Sequence, residues 1–240
     1  TRAGRTSSAF PPGSGRTLLV VRHPAGEPGR RAASPWQQIG SMWYPSHMST
    51  SDIEQALVAL VASAPCTVRA RYHRRTTRSI TAENGILREV TSTTLAGVSF
   101  RALSGAAWGC ASTADLSRQA LEQALAEAVA AAQAGRALRP HTPSFAERPA
   151  VGEFVVKQTR PLAAVPLEEK IALVRRAEEA VRRAHSMIAS SIASYTEWLD
   201  EKVIVTSAGA RAVFRDAKAD FRVSAVAADG SDRETGSVRI

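Results

Sequence analysis

The sequence predicts an α+β fold, with helices and antiparallel strands grouped along the chain rather than alternating one by one. Three observations carry this. Amphipathic helical stripes begin at Ser51, Asp115 and Pro166. Between and after them, residues 67–112 and 187–228 are β-branched or alternate apolar with polar. Gly-containing turn pairs such as Asn84-Gly85 and Asp229-Gly230 punctuate those stretches. Grouped strands joined by tight turns make meanders, whereas a parallel sheet needs a helix after each strand.

The chain has 240 residues, 31 Lys+Arg against 22 Asp+Glu, and a formal net charge of +9. Residues 1–47 hold six Arg and one Glu, six of the 12 prolines and six of the 15 glycines. No apolar periodicity survives among them, so this segment reads as a disordered or non-native leader without a packed core. The run Thr17–Val21 is too short for the apolar centre of a secretory signal. The chain opens without Met and Met48 stands just before the first helix, so Thr1–His47 reads as upstream sequence in frame.

From Met48 onward the elements follow in order. Ser51-Asp52-Ile53-Glu54 reads as a capping box, the Ser hydroxyl accepting the Glu54 amide. Ile53, Leu57, Leu60 and Val61 then share a face until Pro65. Strands are expected at Ser79–Ala82, Ile86–Thr94, Val98–Leu103 and Ala106–Ala111, with turns at Asn84-Gly85, Ala96-Gly97 and Ser104-Gly105. The second helix runs from Asp115 to about Ala134, with Leu121, Ala124, Leu125, Ala128 and Val129 in its stripe. Residues 136–161 form a connector. The third helix opens at Pro166 with Glu168 and Glu169 in its first turn, and pairs Glu178 with Arg182 and Glu179 with Arg183. Met187–Thr196, Lys202–Thr206, Ala212–Asp216 and Phe221–Ala228 are the later strands. The chain stops at Ile240 inside what reads as one more strand, before that strand can pair. The units are therefore 51–135, a connector, and an incomplete 165–240.

Little of the chemistry-bearing inventory is organised. The histidines His23, His47, His73, His141 and His185 include no pair at metal-ligand spacing on a helix, so no metal is expected to bind this chain. Cys66 and Cys110 lack a neighbouring base in sequence, and Cys110 reads as a small buried residue at a strand end. Phosphate-loop and dinucleotide-binding glycine patterns are absent, and no apolar run has the ~18–20 residues of a membrane span. The cluster Arg69, Arg71, Arg74, Arg75 and Arg78 around His73 has two readings: a phosphate or acidic-peptide contact, or a solvated strand edge. The second is preferred. Composition and motifs alone assign no catalytic, cofactor-binding or metal residue.

An ordered set of segments is more specific. Arg78-Ser79-Ile80, Glu83-Asn84-Gly85, Ala96-Gly97-Val98-Ser99-Phe100-Arg101 and Trp108-Gly109-Cys110-Ala111-Ser112 precede the helix opening at Asp115. Val165-Pro166-Leu167-Glu168-Glu169, Ala193-Ser194-Tyr195, Ser207-Ala208-Gly209-Ala210 and Ser224-Ala225-Val226 follow it. Together they resemble the N-terminal part of the TldD/PmbA family over about Ser51–Ile240, and Arg233-Glu234-Thr235-Gly236 is nearer to the TldD type than to the PmbA type. The resemblance implies a cytoplasmic zinc metallopeptidase acting on small unstructured peptides and pairing with a related subunit. It also implies that the zinc motif, H-E-x-x-x-H, belongs to a C-terminal half that this chain does not contain. The fragment alone is then expected to be inactive. A non-catalytic PmbA-type partner that binds peptide and scaffolds the protease is the alternative. A nucleic-acid-binding module is the third reading, disfavoured because most of the excess charge sits in the leader.

Overall fold

The computed structural model describes residues 17–20, 49–136 and 149–240. They form one eight-stranded sheet with three helices on one of its faces. The first strand, β1 (Thr17–Val20), pairs with residues 91–94; the rest of the leader, and the expectation placed on it, lie outside the described residues. Helix α1 (Thr50–Ala62) is followed by β2 (Thr67–Glu83), β3 (Ile86–Ser104), β4 (Ala107–Thr113) and helix α2 (Arg118–Gly135). After the connector come β5 (Val151–Val155), a single 3-10 turn, helix α3 (Leu167–Arg182), β6 (Ile188–Thr206), β7 (Arg211–Asp229) and β8 (Asp232–Arg239). The path is β1-β3-β2-β6-β7-β5, with β4 alongside β3 and β8 alongside β7. This is the α+β architecture that grouped helices and hairpins predict.

Two apolar cores lie between the sheet and its helices. The larger unites Ile53, Leu57 and Val61 of α1 with Leu121, Ala128 and Ala132 of α2, over Val68, Ala70, Phe100 and Val203 of the sheet. Each large side chain fully buried there contributes roughly 1.5–3 kcal/mol. The smaller core lies under α3 and joins Val174 to Ile80, Ala82, Val90, Ala193 and Tyr195. Both cores rest on the same long strands. Even-numbered residues of β2 face the helices, and odd-numbered ones, Arg69 through Glu83, face away.

Several sequence-based expectations change. The capping box of α1 is Ser49 with Asp52, not Ser51 with Glu54. Ser49 has the extended backbone (φ −67°, ψ 162°) that an N-cap needs, and its hydroxyl accepts the Asp52 amide while Asp52 reaches back. Helix α2 is capped by Ser117, two residues after Asp115. Ala96-Gly97 is not a turn but the middle of β3, held there by pairing with β2 that runs in one register from Thr67 to Thr81. The four later strands are two, β6 and β7. The charged stretch 197–201, which reads as a break, stays in the ladder, with Arg78 and Arg75 of β2 supplying counter-charges to Glu197 and Asp200 and Arg215 of β7 one to Glu201. The last strand does pair, with Val238 opposite Val223 and Arg239 opposite Arg222. Beside the antiparallel pairs there is one parallel pair, β5 on β7. Finally, β2 lies between β3 and β6 and is not an edge, so the arginine cluster is not an edge device.

The turn at Ser104-Gly105 holds between β3 and β4, as do two others. At Asn84-Gly85 both residues have positive φ, 48° and 80°, as the tight hairpin between β2 and β3 requires. The turn is clamped by α3: the Gly85 amide donates to Glu178 Oε1 at 3.0 Å, and Ser191 Oγ donates to the same oxygen at 2.6 Å. Asp229-Gly230 closes the β7–β8 hairpin, with Gly230 at φ 59°.

Candidate functional site

Three groups of polar side chains stand out, and strand pairing sets all three. The first lies inside the helix-covered face. Arg78 of β2 is directly opposite Glu197 of β6, and its guanidinium donates to Glu197 Oε1 at 2.7 Å. Lys170 of α3 donates to both Glu197 oxygens at 2.8 and 2.6 Å and to the Leu162 carbonyl at 2.8 Å. Tyr195 donates its hydroxyl to Glu197 Oε2 at 2.6 Å. Burial opposes ionisation of Glu197, but the bonds from Lys170, Tyr195 and Arg78 outweigh it and hold the carboxyl below its ordinary range. Burial, then the Glu197 carboxylate, push the Tyr195 phenol up. Glu197 is fully buried and Lys170 nearly so. This network locks α3 onto the sheet.

The second group lies on the opposite face, which the described helices leave uncovered. Arg75 is directly opposite Asp200 and binds it in a fork, Nε to Oδ1 and a terminal nitrogen to Oδ2, both at 2.8 Å. His73 Nε2 lies 2.6 Å from Oδ1, so that nitrogen carries the proton. The Arg75 bonds hold the Asp200 carboxyl well below the usual carboxylate range, against its burial and with help from His73.

The third group adjoins the second. A shallow concavity of about 420 Å³ opens on the same face, lined by Arg71, His73, Ser99, Ser112 and Thr113. Its floor lies at Gly97, where the Thr113 carbonyl oxygen occupies space 2.8 Å from where a Cβ would stand. Arg71 is the arginine of its lining, and Arg69, two residues back along β2, and Arg101, opposite Arg69, continue the same face beside it. Arg101 is directly opposite Arg69, and its guanidinium lies 4.8 Å over the ring of Trp108. No carboxylate pairs with Arg69, Arg71 or Arg101 among the described residues.

Gly109 fixes how close β4 comes to α2. A Cβ there would meet Ala128 O at 2.0 Å and Ala132 N at 2.4 Å, so the helix backbone lies directly on the strand. Gly109 therefore faces α2, and its neighbours Trp108 and Cys110 face the other way. This corrects the expectation for Cys110, which is exposed, beside Arg101. Cys66 is half-buried against the larger core, and burial pushes its thiol up. His185 accepts the Met187 amide at its own turn. His23, His47 and His141 lie outside the described residues.

These side chains do not fit a metal centre. No group of three or more His, Cys, Asp or Glu comes together among the described residues. At the contact between His73 and Asp200, both carboxylate oxygens already accept from Arg75, so a cation would meet a fixed guanidinium. No described helix is long and apolar enough to cross a membrane.

Residues 68–132 match the PmbA/TldA metallopeptidase domain 1, and residues 160–239 match the PmbA/TldA metallopeptidase central domain. A protein named metalloprotease from Methanothermobacter thermautotrophicus is 30% identical over 161 residues, which are 67% of this chain and 34% of that protein. The fold is that of a Thermotoga maritima protein described as a modulator of a DNA gyrase (TM-score 0.63, 16% identity, 80% of this chain and 42% of that one). TldE from Thermococcus kodakarensis shares it as well (TM-score 0.58, 14% identity, 78% and 42%). The chain thus spans about a third of the curated relative and under half of these structures.

Proposed function

The chain belongs to the PmbA/TldD metallopeptidase family, and from that premise we propose that it is the peptide-holding and assembly part of a TldD-type peptidase. The hydrolytic centre, with its zinc, is then supplied by residues other than these 240. The substrates are small unstructured peptides in the cytoplasm, and a related subunit is the partner. One observation supports the reading above others: both family domains match in order on a single sheet, one face of which the described helices leave open.

A peptidase that takes unfolded chains has to hold an extended segment outside the bond it cuts, because ordering that segment costs roughly 1–2 kcal/mol per residue. A stiff, polar sheet face serves this. Its strands are already ordered, and the hydroxyls of Ser99 and Ser112 can exchange hydrogen bonds with a peptide main chain. The Lys170–Glu197 network keeps α3 from shifting when that face is loaded.

The test is cleavage of a fluorogenic unfolded peptide by the full-length protein and by the 240-residue chain, each with and without a metal chelator. Cleavage by the full-length protein that the chelator abolishes, with none from the 240-residue chain, is the expected result. Chelator-sensitive cleavage by the 240-residue chain alone would overturn the assignment. Cleavage that appears only when a related subunit is added would favour the non-catalytic partner role instead.

A further inference from the structure

We propose that the group of Arg69, Arg71 and Arg101 binds the carboxylates of an acidic peptide segment, which makes this face selective for acidic peptides. The inference rests on the reading of the chain as the peptide-holding part. Its own basis is an arrangement that folding alone disfavours. Arg69 and Arg101 are directly opposite across an antiparallel pair, where like charges destabilise. Arg71 follows two residues along β2 on the same face, and Lys202 is opposite His73. Elsewhere on β2 the strand pairing answers each cation with an acid, as with Arg75 and Asp200 or Arg78 and Glu197. At Arg69 and Arg71 it answers with Thr206 and Ile204 instead. Three exposed guanidiniums without a carboxylate, one lining and two beside a concavity that also holds serine and threonine, fit an anionic ligand that supplies the missing charge.

The ligand is a peptide rather than a nucleic acid on two counts. Arg69 to His73 spans about 13 Å of strand, and the width from β4 to β6 is about 14 Å, which is room for a few carboxylates rather than a backbone track. Binding of single-stranded nucleic acid also relies on aromatic rings open to stacking. Here Trp108 lies under Arg101, and Phe154 stacks on Phe214 at 4.9 Å. Arg forks match carboxylate geometry, and the Ser99 and Ser112 hydroxyls can serve the peptide amides.

Fluorescence anisotropy on the 240-residue chain tests this with a labelled seven-residue peptide of alternating Gly and Glu. Its Gln counterpart and an oligothymidylate of equal charge serve as comparisons, all at one ionic strength. The Glu peptide is expected to bind about tenfold or more tighter than either. Arg71→Gln or Arg101→Gln should weaken it about tenfold, and Arg183→Gln on α3 should leave it unchanged. Arg69→Thr should weaken binding yet melt no lower than the parent, because it relieves the repulsion with Arg101. Equal binding of the Gln peptide overturns the proposal, as does tighter binding of the oligothymidylate, which would point to nucleic acid. A lower melting temperature for Arg69→Thr would make that arginine structural and overturn it too. No hydrolysis is read, so this assay can fail while the full-length protein still cleaves neutral peptides, and it can succeed where cleavage fails.

Discussion

Replacing Gly109 by Ala tests whether the packing of β4 against α2 is as tight as the geometry states. The added methyl would stand 2.0 Å from Ala128 O, 2.4 Å from Ala132 N and 3.0 Å from Ala131 C. Ordinary contact needs about 3.4 Å or more, so α2 has to retreat by roughly 1.4 Å. All three neighbours are backbone, so no rotamer change relieves the overlap. Overpacking of a core costs about 1–3 kcal/mol, and a clash with backbone belongs at the upper end. Against this, Ala restricts the unfolded chain and returns about 0.4–1 kcal/mol. The net expectation is a loss of about 2–3 kcal/mol, or a fall in Tm of roughly 4–12 °C for a chain of this size. Urea unfolding of the parent, Gly109→Ala and Gly236→Ala reads it. A Cβ at Gly236 meets nothing within 4 Å, so that variant should stay within about 0.5 kcal/mol of the parent. If Gly109→Ala stays there as well, the close approach of α2 is wrong.

Two further outcomes follow from the charged groups. Lys170→Met leaves the buried Glu197 with Arg78 and Tyr195 only, and should cost about 3 kcal/mol in urea unfolding. Adding Glu197→Leu should then cost less than the sum of the single changes by more than about 1 kcal/mol, and simple additivity would mean that the pair is not coupled. Asp200 has a folded-state pKa below its unfolded value of ~3.9, so its contribution is present above that pH and is lost as pH falls toward the folded pKa. The stability gap between the parent and Asp200→Asn should therefore be level from pH 7 to about 5 and close below about 4. A gap that persists unchanged to pH 2 would remove the Arg75 fork as its source.

The helices were legible because each carries its own signal. The stripe of Ile53, Leu57 and Val61, the Glu168-Glu169 pair and the Asn84-Gly85 turn are all local. Strand continuity was not legible. Glu197 and Asp200 look like a loop in isolation, and what keeps them in β6 is Arg78 and Arg75, more than a hundred residues earlier. The position of β2 had the same obstacle, because a strand dense in arginine looks like an edge until its partner's acids are placed beside it. Trp108-Gly109 is visible in the sequence as a pattern, but its cause, a helix backbone against the strand, needs the tertiary structure. The open face was invisible too, since parity along β2 separates Arg71 from Arg78 only once the sheet has a covered side.

The register between β2 and β6 runs unbroken from Arg69 with Thr206 to Glu83 with Ile192. The seam between the two family domains is therefore a ladder of main-chain hydrogen bonds about 50 Å long rather than a flexible joint. The domains are separate as stretches of sequence but behave as one mechanical body. Either half expressed without the other would lack its longest neighbour and expose a raw strand edge. Load applied at the concavity near Gly97 is carried across that ladder into β6 and up through Glu197 to α3. The two halves have to stand or fall together as a solid.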